Sequence, residues 1–449
     1  MELLLKNVDL VITGSAVLEH QDVAISDGVV TSIARHGDTA AVKPDRTVDG
    51  RGKAALAGLK NAHTHAAMTL LRGYGDDMRL HPWLQERIWP AEAQLTPEDI
   101  YWGTRLAALE MIRSGTTFAA DMYFQAPEVH RAFEDAGLRA AVGFALFDFG
   151  DPERREALQH EVDEQLAADA VHTADGPNAT GNGAVRARPR VFPTIAPHSI
   201  YTCSGELLQW AAARAVEHDL VLHTHMSETE QEVQDCLDAH GVRPFQWLHE
   251  LGVLEAAGDR MITAHAIWLD QEELDLVAKH GVTVAHNPAS NMKLASGCFP
   301  WAEFDRREVS VMLAPDGVAS NNNLDMFDEM KLAALLQKHH FGDPTRLPAE
   351  EILAIATGAR SKLYRPYGVG GALTVGGPAD VILVDLDHPQ LVPVHNLRSN
   401  LVYAANGSVV DTVICDGTVL MEDRTVPGAE EVLREARRCA AALVDRASR

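Results

Sequence analysis

The sequence predicts an α/β protein: a (β/α)8 TIM barrel with a composite β-sandwich domain built from both chain ends. Three observations point to it. Eight apolar or β-branched runs recur through the middle of the chain, each ending in a polar residue or a short apolar step and followed by a longer helical pattern: AALAGLKNAH, GTTFAADM, RAAVGFALF, RVFPTIAPH, LVLHTH, RMITAH, GVTVAH and VSVMLAPD. That rhythm is the one expected of parallel strands joined by crossover helices. Residues 1–52 instead read as short alternating strands separated by Gly/Asp turns (LLLKNVDLVI, QDVAISDGVVTSIA), and the same texture returns near the end in GPADVILVDL and LVYAANGSVVDTVICDGTVL. Two β segments flanking a long middle imply one unit closed by both ends. Finally, 449 residues at 46% hydrophobic content can bury a large core and a smaller one.

Taken in chain order, residues 1–55 are expected to form the first part of the β domain and 56–370 the barrel. Residues 371–449 supply the rest of the β domain and a terminal helix. HTADGPNATGNGAV (172–185) interrupts the barrel rhythm and reads as a mobile surface insertion.

Composition narrows the function. Net charge is −25, and only nine of the 39 basic residues are lysines. Nucleic acid and anionic membrane surfaces would be repelled, so neither is expected as a partner. The acidic, lysine-poor balance resembles that of halophilic proteins from a high-salt cytoplasm. The N-terminal MELLLKNVDLVI lacks a basic region followed by a long apolar one, and no window reaches the roughly 18 apolar residues of a spanning helix. A cytoplasmic protein is expected. Cys203, Cys236, Cys298, Cys415 and Cys439 are scattered without CxxC spacing, which suggests small buried hydrophobes, not a disulfide framework or a thiolate zinc site.

In a barrel of this kind the active site lies at the C-terminal ends of the strands. His63 and His65 end the first run, His225 the fifth, His265 the sixth and Asp316 the eighth. A His-x-His tripeptide is expected by chance in a histidine-rich chain, and a single histidine at a strand end is more often a packed residue than a ligand. Five such residues at one rim argue for a metal. Residues i and i+2 of a strand point the same way, so His63 and His65 can face one ion. The same alternation turns both His223 and His225 inward, so the spacing leaves one of that pair spare.

NAHTHAAMTLLRG, APHSIYTC, HTHMSETEQE, TAHAIWLD, AHNPASNMKLASG and PDGVASNNNLDMFDEM together resemble the amidohydrolase superfamily, and in that order the 5-methylthioadenosine/S-adenosylhomocysteine deaminases. The resemblance runs nearly end to end. It implies that His63, His65, His225 and Asp316 hold one divalent ion per chain, zinc by preference, with iron or manganese also compatible with the donor set. His225 is taken over His223 because a glutamate, Glu228, follows it by three residues. His265 would contact the attacking water, Asp316 would accept its proton, and Glu228 would protonate the ring nitrogen. The neighbours Glu230 and Glu232 read as surface residues. Glu92 and His198 match residues that hold the nucleoside, together with Glu228 and Asp316, and Trp83 and Ser320 are weaker matches. The lead-in Ala57-Gly58-Leu59 departs from the usual Pro-Gly-Phe, a difference of packing. No lysine stands between Lys60 and Lys279, so the carbamylated lysine that bridges two ions in related hydrolases has no counterpart.

The implied activity is hydrolytic deamination of 5′-methylthioadenosine, 5′-deoxyadenosine, adenosine or S-adenosylhomocysteine by a homodimer or homotetramer. A guanine or s-triazine deaminase or chlorohydrolase shares most of these motifs, and a catalytically dead scaffold is the remote alternative. An ungapped match places Phe144 where the homocysteine-accepting enzymes carry an arginine, with Arg154 or Arg155 as substitutes.

Overall fold

The computed structural model describes residues 2–14, 16–38, 43–174 and 189–448, with backbone alone over 168–174. Eight parallel strands form the central sheet: Leu59–Thr64, Thr116–Tyr123, Arg139–Leu146, Val191–Pro197, Leu222–Met226, Met261–His265, Thr283–His286 and Val311–Leu313. Every one falls within, or overlaps, one of the eight runs read from the sequence. Each strand pairs in parallel with the next, as with Tyr123 opposite Phe144 and His225 opposite Ala264. The ring is drawn together where the Asp316 N–H donates to the His63 carbonyl at 3.2 Å, which joins the eighth run to the first. The barrel interior is filled by Phe118, Ala120, Ala141, Phe192, Ile262 and Met312, with Tyr364 and Tyr367 packed against them.

The second sheet draws on both chain ends. Its strands run in the order Thr418–Met421, Val410–Cys415, Val381–Asp385, Lys53–Ala57, Glu2–Ile12, Val17–Ser26 and Val29–Arg35, and Arg46–Asp49 pairs with Glu2–Ile12 as well. The two ends meet where Val381–Asp385 lies antiparallel to Lys53–Ala57, with Leu383 opposite Ala55. Strand alternation divides these residues between two cores. Ala54, Leu56, Ile382 and Val384 face the barrel, whereas Ala55, Ala57, Val381 and Leu383 pack with Leu3, Leu5 and Val23 in a core of the sheet's own.

A buried charge cluster fastens the two units. Asp380, next to the strand Val381–Asp385, lies 3.1 Å from the Lys60 ammonium of the first barrel strand and 3.2 Å from the Arg139 guanidinium of the third. All three are buried. The chain closes with the helix Ala429–Ala447, which packs on Pro97–Arg113 and pairs Arg446 with Asp99.

Helix Pro152–Ala174 follows the third strand and takes in the first residues of the expected 172–185 insertion; from 175 onward that segment lies outside the described residues. Cys203, Cys236, Cys415 and Cys439 are buried, Cys298 is half-buried, and all are free. No described helix is long and apolar enough to cross a membrane.

Candidate active site

At the C-terminal ends of the strands, His65, His198, His225, His265, Glu92, Glu228 and Asp316 line one cavity of about 610 Å³, counting its mouth, with His63 buried beside them. Nε2 of His63 and of His65 lie 3.2 and 3.3 Å from Oδ1 of Asp316, and Nε2 of His225 lies 3.4 Å from that of His65. The ligand atoms of His63, His65 and His225 fall within 4.8 Å of one another, as do those of His63, His265 and Asp316.

The backbone is bent to present these groups. His265 and Asp316 both adopt left-handed conformations, with φ of 70° and 64°, and so do Ser227 and Ala266 beside them. Such geometry costs on the order of 1–3 kcal/mol per residue and persists where the surroundings enforce it, which is common at functional sites.

The other ring nitrogens are engaged. Nδ1 of His65 meets the Met122 carbonyl at 2.7 Å, Nδ1 of His225 meets the His198 carbonyl at 2.7 Å, and Nδ1 of His63 meets Nε2 of His223 at 2.8 Å. His223 is therefore not one of the converging groups; it stands behind His63. Asp316 is held from the far side by the Ser290 and Ser320 hydroxyls at 2.6 and 3.1 Å. Burial opposes its ionisation, but the two histidines outweigh burial and hold its carboxyl well below the usual range. Burial alone would depress His65, yet Asp316 and the Met122 carbonyl lift it to about 9, whereas burial takes His63 down to about 4.

Glu228 lies in the same cavity, its carboxylate 3.6 Å from Nε2 of His265 and 3.3 Å from the Ser296 hydroxyl. Burial raises its pKa, so it keeps a proton to higher pH than an exposed glutamate. His265 is oriented by Asn291, whose Oδ1 stands 2.8 Å from its Nδ1. Glu92, raised by burial, accepts from the Tyr123 hydroxyl at 2.7 Å. His198 lines the cavity, with Nδ1 near the Ser199 and Thr202 hydroxyls and its ring 4.6 Å from that of Phe147. Trp83 and Ser320 line it too.

A 34% identical solved structure, an adenosine deaminase from Xanthomonas campestris with bound zinc, superposes with a TM-score of 0.88 over 99% of this chain and 98% of that one. A 5′-deoxyadenosine deaminase from Methanoregula boonei is 50% identical over 89% of this chain and 86% of its own length. A 5-methylthioadenosine/S-adenosylhomocysteine deaminase from Halobacterium salinarum is 43% identical over 94% of this chain and 95% of its own. The amidohydrolase family model matches residues 54–420. The chain belongs to the amidohydrolase family. It is a hydrolase of carbon–nitrogen bonds.

In this amidohydrolase two expectations need correction. Glu232 is not a surface residue: it is 3% exposed, and its carboxylate accepts from the Ser227 and Glu228 N–H groups at 2.8 Å each. It thereby fixes the turn that aims Glu228. The Thr229-x-x-Glu232 spacing of a capping box was the available signal. Glu230, by contrast, is exposed. Phe144 does not face the cavity either. Ala145 and Phe147 line it, while Phe144 packs with Val142 and Leu146 in the core around the barrel, because alternate residues of the third strand point to opposite sides. Of the two arginines, Arg155 is engaged by Asp148 at 3.5 Å and the Ser204 hydroxyl at 3.1 Å, whereas Arg154 stacks over the Phe149 ring at 5.1 Å. Tyr123, Ser290, Asn291 and Glu232 are the supporting residues that sequence reasoning passed over.

Proposed function

We propose that this amidohydrolase deaminates adenosine-type nucleosides hydrolytically, releasing ammonia and the inosine analogue, with one divalent ion held by His63, His65, His225 and Asp316. The donor set suits zinc, and also iron or manganese. The fit rests on Nε2 of His63, which is buried without a hydrogen-bond partner while its Nδ1 is occupied. A buried polar atom left so is costly unless a ligand fills the position. Such an ion supplies Lewis acidity, which brings the pKa of water from about 16 toward about 7.

The protein's own groups perform the remaining steps. Asp316, ionised and pinned by Ser290 and Ser320, accepts a proton from the attacking water. His265, set by Asn291, orients that water. Glu228, whose burial raises its pKa, donates a proton to the purine ring nitrogen so that C6 accepts the nucleophile, and a later proton leaves with ammonia.

The observation that carries the nucleoside reading is Glu92. It lines the wall of the catalytic cavity and also that of an adjoining apolar chamber of about 1020 Å³ of open-sided space, walled by Trp89, Phe124, Phe147 and Phe149. A carboxylate at that junction suits the vicinal hydroxyls of a ribose, with the base toward Glu228 and the 5′ group in the apolar chamber. Deaminase names among relatives 40–50% identical support the same reading. Assembly as a homo-oligomer in the cytoplasm belongs to this proposal, as does adaptation to high salt. Ammonia release from adenosine-type nucleosides, with guanine and an s-triazine as controls, tests it. Turnover of nucleosides and not of the free bases is expected; turnover of guanine alone would overturn it.

A further inference from the structure

A second group of metal-type donors lies away from the catalytic cavity. His249, Glu255 and His280 each bring one ligand atom within 4.8 Å of the others. One carboxylate oxygen, Oε1 of Glu255, contacts Nδ1 of His249 and stands 3.7 Å from Nε2 of His280, and the two rings are 5.7 Å apart. Both nitrogens are shielded from solvent and face that one carboxylate.

Three separate segments create this meeting. His249 is next to last in the helix Pro244–Glu250, Glu255 lies in Val253–Ala257, and His280 ends Gln271–His280. Their approach depends on Gly258, since a Cβ there would stand 2.7 Å from both the Cβ and the carbonyl oxygen of His280. The segments lead into Met261–His265 and Thr283–His286 from the N-terminal ends of those strands. The cluster therefore lies at the end of the barrel remote from the catalytic rim, where residues serve stability and not chemistry.

We propose that His249, Glu255 and His280 form a second, structural site for a borderline divalent cation of the zinc, cobalt or nickel class. Two imidazoles and one carboxylate are ligands for that class. With metal–nitrogen distances of about 2.0–2.1 Å, tetrahedral ligand atoms stand about 3.3 Å apart, so small side-chain rotations that part Glu255 from His249 and draw in His280 reach that spacing. The side chains of His249 and Glu255 are 40% and 45% exposed, which permits those rotations and leaves a water-facing fourth position. An ion bound there clips together the segments that feed the sixth and seventh strands, and because only the folded chain assembles the donors, binding raises the unfolding temperature.

The test is metal counting on the full-length protein dialysed against zinc and freed of loose ions. Two ions per chain are expected in the wild type, and one in the double variant His249→Ala/His280→Ala and in Glu255→Gln, with deaminase kcat/KM unchanged and the zinc-induced rise in Tm lost. Glu255→Gln, a conservative change at a half-exposed residue, guards against a folding failure of the double variant. A wild-type count of one, or a count of two that survives in the variants, would overturn the site.

Discussion

Nδ1 of His63 lies 2.8 Å from Nε2 of His223. Burial keeps His223 neutral, and its other nitrogen is buried without a hydrogen bond. With the Nε2 lone pair of His63 given to the proposed ion, Nδ1 carries the proton and donates it to His223. The histidine left spare by strand alternation thus sets the tautomer of the first proposed ligand. Partners of this kind typically affect metal affinity by about 10–100-fold. His223→Ala should weaken ion retention by that order while kcat at saturating metal stays near wild type. Competition with a chelator measures it, and an unchanged midpoint would reduce His223 to packing.

Glu228→Gln keeps the shape of the side chain and its place against Ser296 but cannot donate the acid proton. Turnover should fall by at least the 10²–10⁴-fold typical of a lost general acid, with metal content intact by elemental analysis. Near-normal turnover would remove Glu228 from the chemistry.

The chamber beside Glu92 is walled by aromatic rings, and Arg155 is already engaged by Asp148 and Ser204. Among the described residues that line the chamber, Arg154 is the one cation a homocysteine carboxylate then finds, and it is exposed and stacked on Phe149. A missing charge-assisted contact costs about 1.5–3 kcal/mol, or about 10- to 150-fold. 5′-Deoxyadenosine or 5′-methylthioadenosine should therefore exceed S-adenosylhomocysteine in kcat/KM by a factor in that range. Parallel ammonia-release kinetics decide it, and a preference for S-adenosylhomocysteine would refute the chamber argument.

Burial alone would raise Asp380, but Lys60 and Arg139 overcome it and take its carboxyl down to about 2. A carboxylate depressed in the folded state stabilises above its unfolded pKa, about 4, and that contribution is lost as pH falls from about 4 to 2. Asp380→Asn leaves the buried Lys60 ammonium without its carboxylate and Arg139 with Asp416 alone, and should cost about 3–5 kcal/mol at pH 7. Urea unfolding at pH 7 and at pH 3 should show the gap between wild type and variant narrowing in acid. A gap independent of pH would mean that packing, and not charge, is what the substitution disturbs.

At a net charge of −25, self-repulsion opposes the compact state in dilute buffer. Raising KCl from low to molar concentration should increase both activity and unfolding temperature. Full stability without salt would count against the halophilic reading.

The barrel was legible because its signal is local: eight apolar runs, six of them ending in His or Asp, report eight buried parallel strands, whatever the loops between them do. The converging groups His63, His65, His225, His265 and Asp316 were legible for the same reason, since each ends a run and all runs end at one rim. What sequence could not supply were relations between strands. Spacing left His223 and His225 equivalent; only the position of the first strand puts one imidazole behind His63 and the other beside His65. Phe144 matched a position by count, yet the facing of the third strand turns it outward, because a shift of one residue reverses every side chain on a strand. Glu232 looked like one more acid in a polar run, and it is buried because two backbone N–H groups of a left-handed turn need an acceptor. Composition and periodicity determine which residues reach the rim; the packing of strands against one another decides which atom of each faces the cavity, because hydrogen-bond partners distant in sequence choose the rotamer and the tautomer.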